Sequence, residues 1–123
     1  MSMKIYKHRN FHKWAKDEGI TDKTLINAIN EISKKLYDAN LGSGLYKKRV
    51  AMKGKGKRGS YRTLVAFKEG EKAFFVYGCP KNEKENIDER EQKIYRYFSR
   101  DLLNMDEKTI EKMIIEGKLF RVA

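Results

Sequence analysis

Over the first forty residues, apolar positions recur at the spacing of a helix face. Phe11, Trp14 and Ala15 predict a short first helix from His8 to Glu18, with Gly19 placed to stop it. Thr21 or Asp22 can cap a second helix, in which Leu25, Ile29, Ile32 and Leu36 step by four, three and four beside Ile26 and Ala28. This stripe predicts helix to near Asn40, before Gly42 and Gly44. So few residues separate the two helices that an N-terminal αα-hairpin is expected.

After Gly44 the period falls to two, and β-branched and aromatic residues take over. "LYKKRVAM" (45–52), "YRTLVAF" (61–67) and "KAFFVYGC" (72–79) predict three strands of a small antiparallel meander, the last two joined by a tight hairpin around Gly70. "AFFVYGC" is apolar on both faces and is expected as the central strand, ended by Pro80. Asp88 with Glu91 fits a capping box, followed by Ile94, Tyr95, Phe98, Leu102 and Leu103 on one helical face. Asp106 caps a last helix to about Glu116, Gly117 stops it, and "KLFRV" is read as an edge strand or a loosely packed tail. The expected class is α+β: two N-terminal helices, a sheet of about three to four strands, and C-terminal helices, with the helices against one face of the sheet.

At 123 residues the chain is read as one domain spanning 1–123. Cys79 is the one cysteine and has no internal partner, and no early apolar run resembles a signal peptide or a spanning helix. A soluble cytoplasmic protein without membrane contact is expected. The net charge of +11 is unevenly placed: residues 44–68 hold nine Lys or Arg and no acid, whereas residues 85–123 hold eight against nine. Such a directed patch points to a polyanion.

Inside it, Gly54, Gly56 and Gly59 spell G-x-G-x-x-G, but a strand follows where a dinucleotide site needs a helix N-terminus. No Gly-Lys-Ser/Thr ending makes it a P-loop. No cofactor is expected. Strand alternation puts Lys47 and Arg49 on one face and Val50 and Met52 on the other, and the following loop is placed to bring Lys55, Arg58 and Arg62 around the same surface. Tyr46 and Tyr61 lie among them, as base-stacking platforms or as half-buried packing residues. Cations with a few aromatics suit single-stranded nucleic acid.

Cleavage of RNA by its own 2′-OH needs a proton acceptor, stabilisation of the charged phosphorane and a donor to the leaving 5′-oxygen. Arg and Lys serve the second need, and a lysine crowded by cations can serve as acid or base. His8 and His12, the only histidines, fall on the first helix and read as surface positions. No carboxylate cluster or Cys/His spacing in the basic segment suits a metal, so none is expected. Cys79 reads as a small core residue, and Trp14 with Phe11 as a packing face.

Four stretches, "WAKDEGITDKTLINAINEI", "GSGLYKKRVAMKGKGKRGSYRTLVAF", "FFVYGCPKNEKENID" and "IIEGKLFRV", together resemble the RelE/ParE superfamily of type II toxin-antitoxin toxins, in its RelE-like, HigB-like branch. The middle block is the most specific. The resemblance implies a RelE-like fold and a metal-independent endoribonuclease that cuts messenger RNA on the ribosome and inhibits translation. It also implies a cognate antitoxin as partner and a monomeric free toxin. Lys47 and Arg49 match the family's alternating basic pair around the 2′-OH, Arg62 matches the arginine that binds the scissile phosphate, and Lys81 offers help to the leaving group. The chain departs from the best-known members at about Asn82, where they have an arginine, and at about Asp88, where they have a tyrosine. Lys48, Lys53, Lys55, Lys57, Arg58, Tyr61 and Lys84 complete the candidate RNA contacts. Two alternatives stand beside this reading: a topoisomerase poison of the ParE kind, against which Lys47 and Arg49 tell, and a nucleic-acid-binding module without chemistry.

Overall fold

The computed structural model describes residues 3–51, 60–80 and 88–123. In chain order the elements are β1 (Lys4–His8), α1 (Arg9–Glu18), α2 (Asp22–Ser33), β2 (Ala39–Gly42), β3 (Leu45–Ala51), β4 (Ser60–Lys68), β5 (Lys72–Pro80), α3 (Glu89–Leu103), α4 (Glu107–Ile115) and β6 (Leu119–Arg121). The strands form one sheet in the order β2-β3-β4-β5-β1-β6. Its pairings are antiparallel except that of β1 with β5. The class is α+β, with more strands than the three or four expected.

The caps follow the sequence. Thr21 accepts from the Thr24 N–H, Asp88 from Glu91 and Asp106 from Thr109, each covering one of the unpaired amides of a helix N-terminus. At the end of α1, Gly19 takes φ +74° while its own N–H and that of Ile20 return to Lys16 and Ala15.

Four expectations need correction. The chain enters the sheet through β1 before the first helix begins, and β1 lies between β5 and β6 with Ile5, Tyr6 and Lys7 all buried. The second helix stops at Ser33, not near Asn40: Lys35 adopts φ +66°, and the N–H groups of Lys35 and Leu36 turn back to Ile32 and Glu31. Leu36 therefore points to solvent, 56% exposed, and residues 39–42 form β2. The third correction is to the layout of the αα-hairpin, which is shorter and set behind β1. The fourth is that helices cover both faces of the sheet. One core joins Phe11, Ala15, Leu25, Ile29 and Ile32 of α1 and α2 to Val50, Val65 and Phe75. The other joins Leu102 and Ile110 of α3 and α4 to Leu45, Leu64, Ala66 and Phe74. Two apolar sheet faces demand two covering layers.

A bulge decides which residues of β5 join which face. Leu64 pairs with Tyr77 and Val65 with Phe75, which leaves Val76 as the extra residue. Past it the alternation is reset, so Tyr77 and Cys79 face α3 with Phe74 and Val76, while Gly78 faces α1.

A candidate anion-binding face

Residues directly opposite each other in an antiparallel pair share a face, with Cβ atoms about 4.5–5.5 Å apart. Arg49 on β3 is opposite Arg62 on β4, and Arg62 is opposite Cys79 on β5. In the neighbouring row, Lys47 is opposite Leu64, and Leu64 is opposite Tyr77. Three cations thus occupy two adjacent rows of one sheet face. Two arginines placed opposite each other oppose folding, and their shared direction suits an anion that bridges them.

β2 reaches along β3 only to the pair Ala39–Lys47. Beyond it, Asp38 lies beside the strand edge, donating its N–H to the Lys47 carbonyl at 2.9 Å and accepting the Arg49 N–H on Oδ2 at 2.6 Å. Its Oδ1 is 3.7 Å from Arg49 Nε, and the Arg49 side chain stays half exposed. On the far side of the cations, Tyr77 meets Tyr95 of α3 with ring centroids 5.4 Å apart. Burial first, and then a hydrogen bond with the Cys79 thiol, push the Tyr77 phenol far above its ordinary value, so it stays protonated at any physiological pH. Cys79 itself is buried.

The structure separates several residues that the sequence grouped. Lys48 lies on the opposite face, 8% exposed, with its ammonium 3.1 Å from Glu31 of α2. Its alternation with Lys47 and Arg49 requires this. Tyr61 is buried on that face too, edge-on to Trp14 and donating its hydroxyl to the Glu18 carbonyl. Tyr46 packs there between Tyr37 and Phe67. None of these three joins the row of Arg49 and Arg62. Lys53, Lys55, Lys57, Arg58, Lys81 and Lys84 lie outside the described residues. The described residues that flank them, Ala51, Ser60 and Pro80, all sit at the Arg49–Arg62 end of the sheet. Sequence reasoning misses Asp38 and the Tyr77–Tyr95 pair: the stripe through Leu36 predicts helix across Asp38, and the bulge at Val76 leaves no mark in the apolar run.

The histidines are half-buried packing residues and not surface positions. His8 caps α1, accepting the Asn10 N–H on Nδ1, and stands edge-on to Phe98. His12 stacks on Phe120 with centroids 3.8 Å apart and a buried Nδ1. Burial, and secondarily neighbouring cations (Arg9 for His8; Lys7 and Lys16 for His12), lower the pKa of both. The unfolded chain then takes up more protons than the folded one once pH falls below the ordinary histidine value of about 6.5. The stability that the neutral imidazoles contribute is full above that pH and is lost progressively as pH falls below it. A thermal midpoint lower at pH 5.5 than at pH 7 is expected, with the difference reduced in a His8→Asn/His12→Gln variant; an undiminished difference there would locate the proton uptake elsewhere.

Among the described residues no group of His, Cys, Asp or Glu is arranged to hold a metal ion, and no helix is long and apolar enough to cross a membrane. The chain matches the family described as "RelE toxin of RelE / RelB toxin-antitoxin system" over residues 3–122. A comparison with curated proteins finds no match.

Proposed function

Because the chain belongs to the RelE family of toxins from toxin-antitoxin systems, we propose that the face carrying Lys47, Arg49 and Arg62 cleaves messenger RNA in the decoding site of the ribosome. The observation that carries this reading is the cross-strand register that sets Arg49 against Arg62, with Lys47 two residues along the same face. Two guanidinium forks in one cross-strand row of one face suit the paired oxygens of a phosphate. As the 2′-OH attacks, the O2′–P bond forms, negative charge grows on the phosphorane oxygens, and the P–O5′ bond breaks. Fixed cations stabilise that growing charge without reorganising.

Arg62 binds the scissile phosphate in this scheme, and Lys47 and Arg49 exchange or steady protons around the 2′-OH. Lys81, outside the described residues, assists the leaving 5′-oxygen. The family implies an antitoxin partner, and an antitoxin with acidic segments laid over this face would silence the toxin by charge complementarity. The dense cations add attraction to ribosomal RNA that falls steeply with salt.

Induced expression in a bacterial host, with genome-wide mapping of new messenger RNA 5′ ends, tests the proposal. New ends in phase with translated codons are expected for the wild type and not for an Arg49→Ala/Arg62→Ala variant. Growth arrest with no new ends would overturn RNA cleavage and direct attention to a topoisomerase.

A further inference from the structure

Asp38 makes contacts of two kinds with the basic strand, and they call for separate explanations. Its main-chain N–H and its Oδ2 stand in for the strand partner that β2 no longer supplies, satisfying the Lys47 carbonyl and the Arg49 N–H. Any acceptor of the right length would do that. The second carboxylate oxygen lies instead beside the guanidinium, 3.7 Å from Nε. An arginine carries five donors in a planar fork, so an acid near the Nε edge leaves the terminal nitrogens for a second anion. Arg49 also stands opposite Arg62, where like charges push apart. A carboxylate on the outer side of Arg49 offsets that repulsion and limits how far its guanidinium can swing away.

We infer that Asp38 is a positioning residue for the cleavage: it holds Arg49 in line with Arg62 and is the resident counter-charge that the substrate phosphate must share the guanidinium with. This rests on the reading of Lys47, Arg49 and Arg62 as the cleaving face. The two halves of the role act in opposite directions. Holding Arg49 raises kcat, while the resident negative charge raises KM.

The test is cleavage of messenger RNA on programmed ribosomes, with kcat and KM measured for wild type, Asp38→Asn, Asp38→Glu and Arg62→Ala. Asparagine keeps an oxygen for the Arg49 N–H and removes the charge. It is expected to lower kcat about ten- to hundredfold, the scale of a misplaced catalytic group. KM is expected to fall about two- to fivefold, the scale of one exposed ion pair. Asp38→Glu keeps the charge but shifts it by a methylene, so kcat falls while KM stays near the wild-type value; this variant decides the matter if the asparagine form does not fold. A strand-edge role alone would leave kcat and KM of Asp38→Asn unchanged, and that result, or a rise in KM, overturns the inference. If Arg62→Ala loses cleavage while Asp38→Asn keeps all of it, the inference falls and the cleaving face stands. If Arg62→Ala cleaves as well as wild type, the cleaving face falls and the inference with it.

Discussion

Arg62→Ala is expected to lower the rate of RNA cleavage about 10²- to 10³-fold, the usual consequence of removing one fixed donor to a developing oxyanion. Arg62 is the middle member of its row, between Arg49 on β3 and Cys79 on β5. An anion bridging the two arginines loses half its grip when Arg62 goes, and Lys47, on β3 in the next row opposite Leu64, offers a single point charge and no second fork to replace it. Arg62→Lys separates charge from shape. A lysine keeps the positive charge as a single point but cannot offer two parallel N–H groups, so about a tenfold deficit is expected to remain. Single-turnover cleavage on programmed ribosomes gives both numbers. The unfolding midpoint of each variant should stay within a few degrees of wild type, because the guanidinium is not part of either apolar core. A fall in activity matched by a large fall in midpoint would assign Arg62 to the fold and not to the chemistry.

How far the sequence reveals this arrangement depends on whether a local signal marks each turn of the chain. The helices α1 and α2 end in the same hydrogen-bond pattern, with two amides turning back on the last carbonyls. In α1 the left-handed residue is Gly19 and is legible; in α2 it is Lys35, which nothing in its side chain announces. The apolar stripe ran on through Leu36, and so both β2 and the placement of Asp38 were hidden by an apparently continuous helix. β1 escaped for another reason. An interior strand covered on both sides has no alternation to display, and Lys7 is buried there because its stem is covered and its ammonium meets Asp22 at 3.1 Å.

The same-face placement of Lys47 and Arg49 follows from period two alone. Applied with equal strictness, that period also sends Lys48 to the other face, which its pairing there with the half-exposed Glu31 of α2 confirms. Charge density along the chain makes Lys48 a candidate and an aromatic ring among cations makes Tyr61 one, although parity separates both from the row of Arg49 and Arg62. The two apolar faces of "AFFVYGC" were visible as well, and they already required helices on both sides of the sheet.

Gly78→Ala is expected to destabilise the fold by overpacking it. Gly78 has no left-handed backbone to excuse it; what it lacks is room. A Cβ at this position would stand 2.2 Å from Cζ3, 2.6 Å from Cε3 and 2.8 Å from Cη2 of Trp14. The indole has few ways to retreat, since it packs on Phe11 and meets the Tyr61 ring edge-on. Alanine would ordinarily gain about 0.5–1 kcal/mol over glycine within a strand, but overpacking of this kind costs about 1–3 kcal/mol and here has no flexible neighbour to absorb it. A net loss of up to about 2.5 kcal/mol follows from those two figures. Trp14→Leu alone, by opening a cavity at a partly buried site that leucine half refills, should cost less than complete aromatic truncation, which costs about 3–5 kcal/mol. Combining the two should cost less than their sum, because the methyl then enters vacated space, and a coupling of about 1 kcal/mol or more in the double-mutant cycle is the measurement that checks it. Strict additivity would mean that Trp14 does not oppose the new methyl. The consequence extends to the basic face, because Gly78 lies between Tyr77 and Cys79, whose side chains point the other way beside Leu64 and Arg62. Pushing β5 off the indole moves the strand that backs Arg62, so cleavage by Gly78→Ala should fall even at temperatures where the variant remains folded.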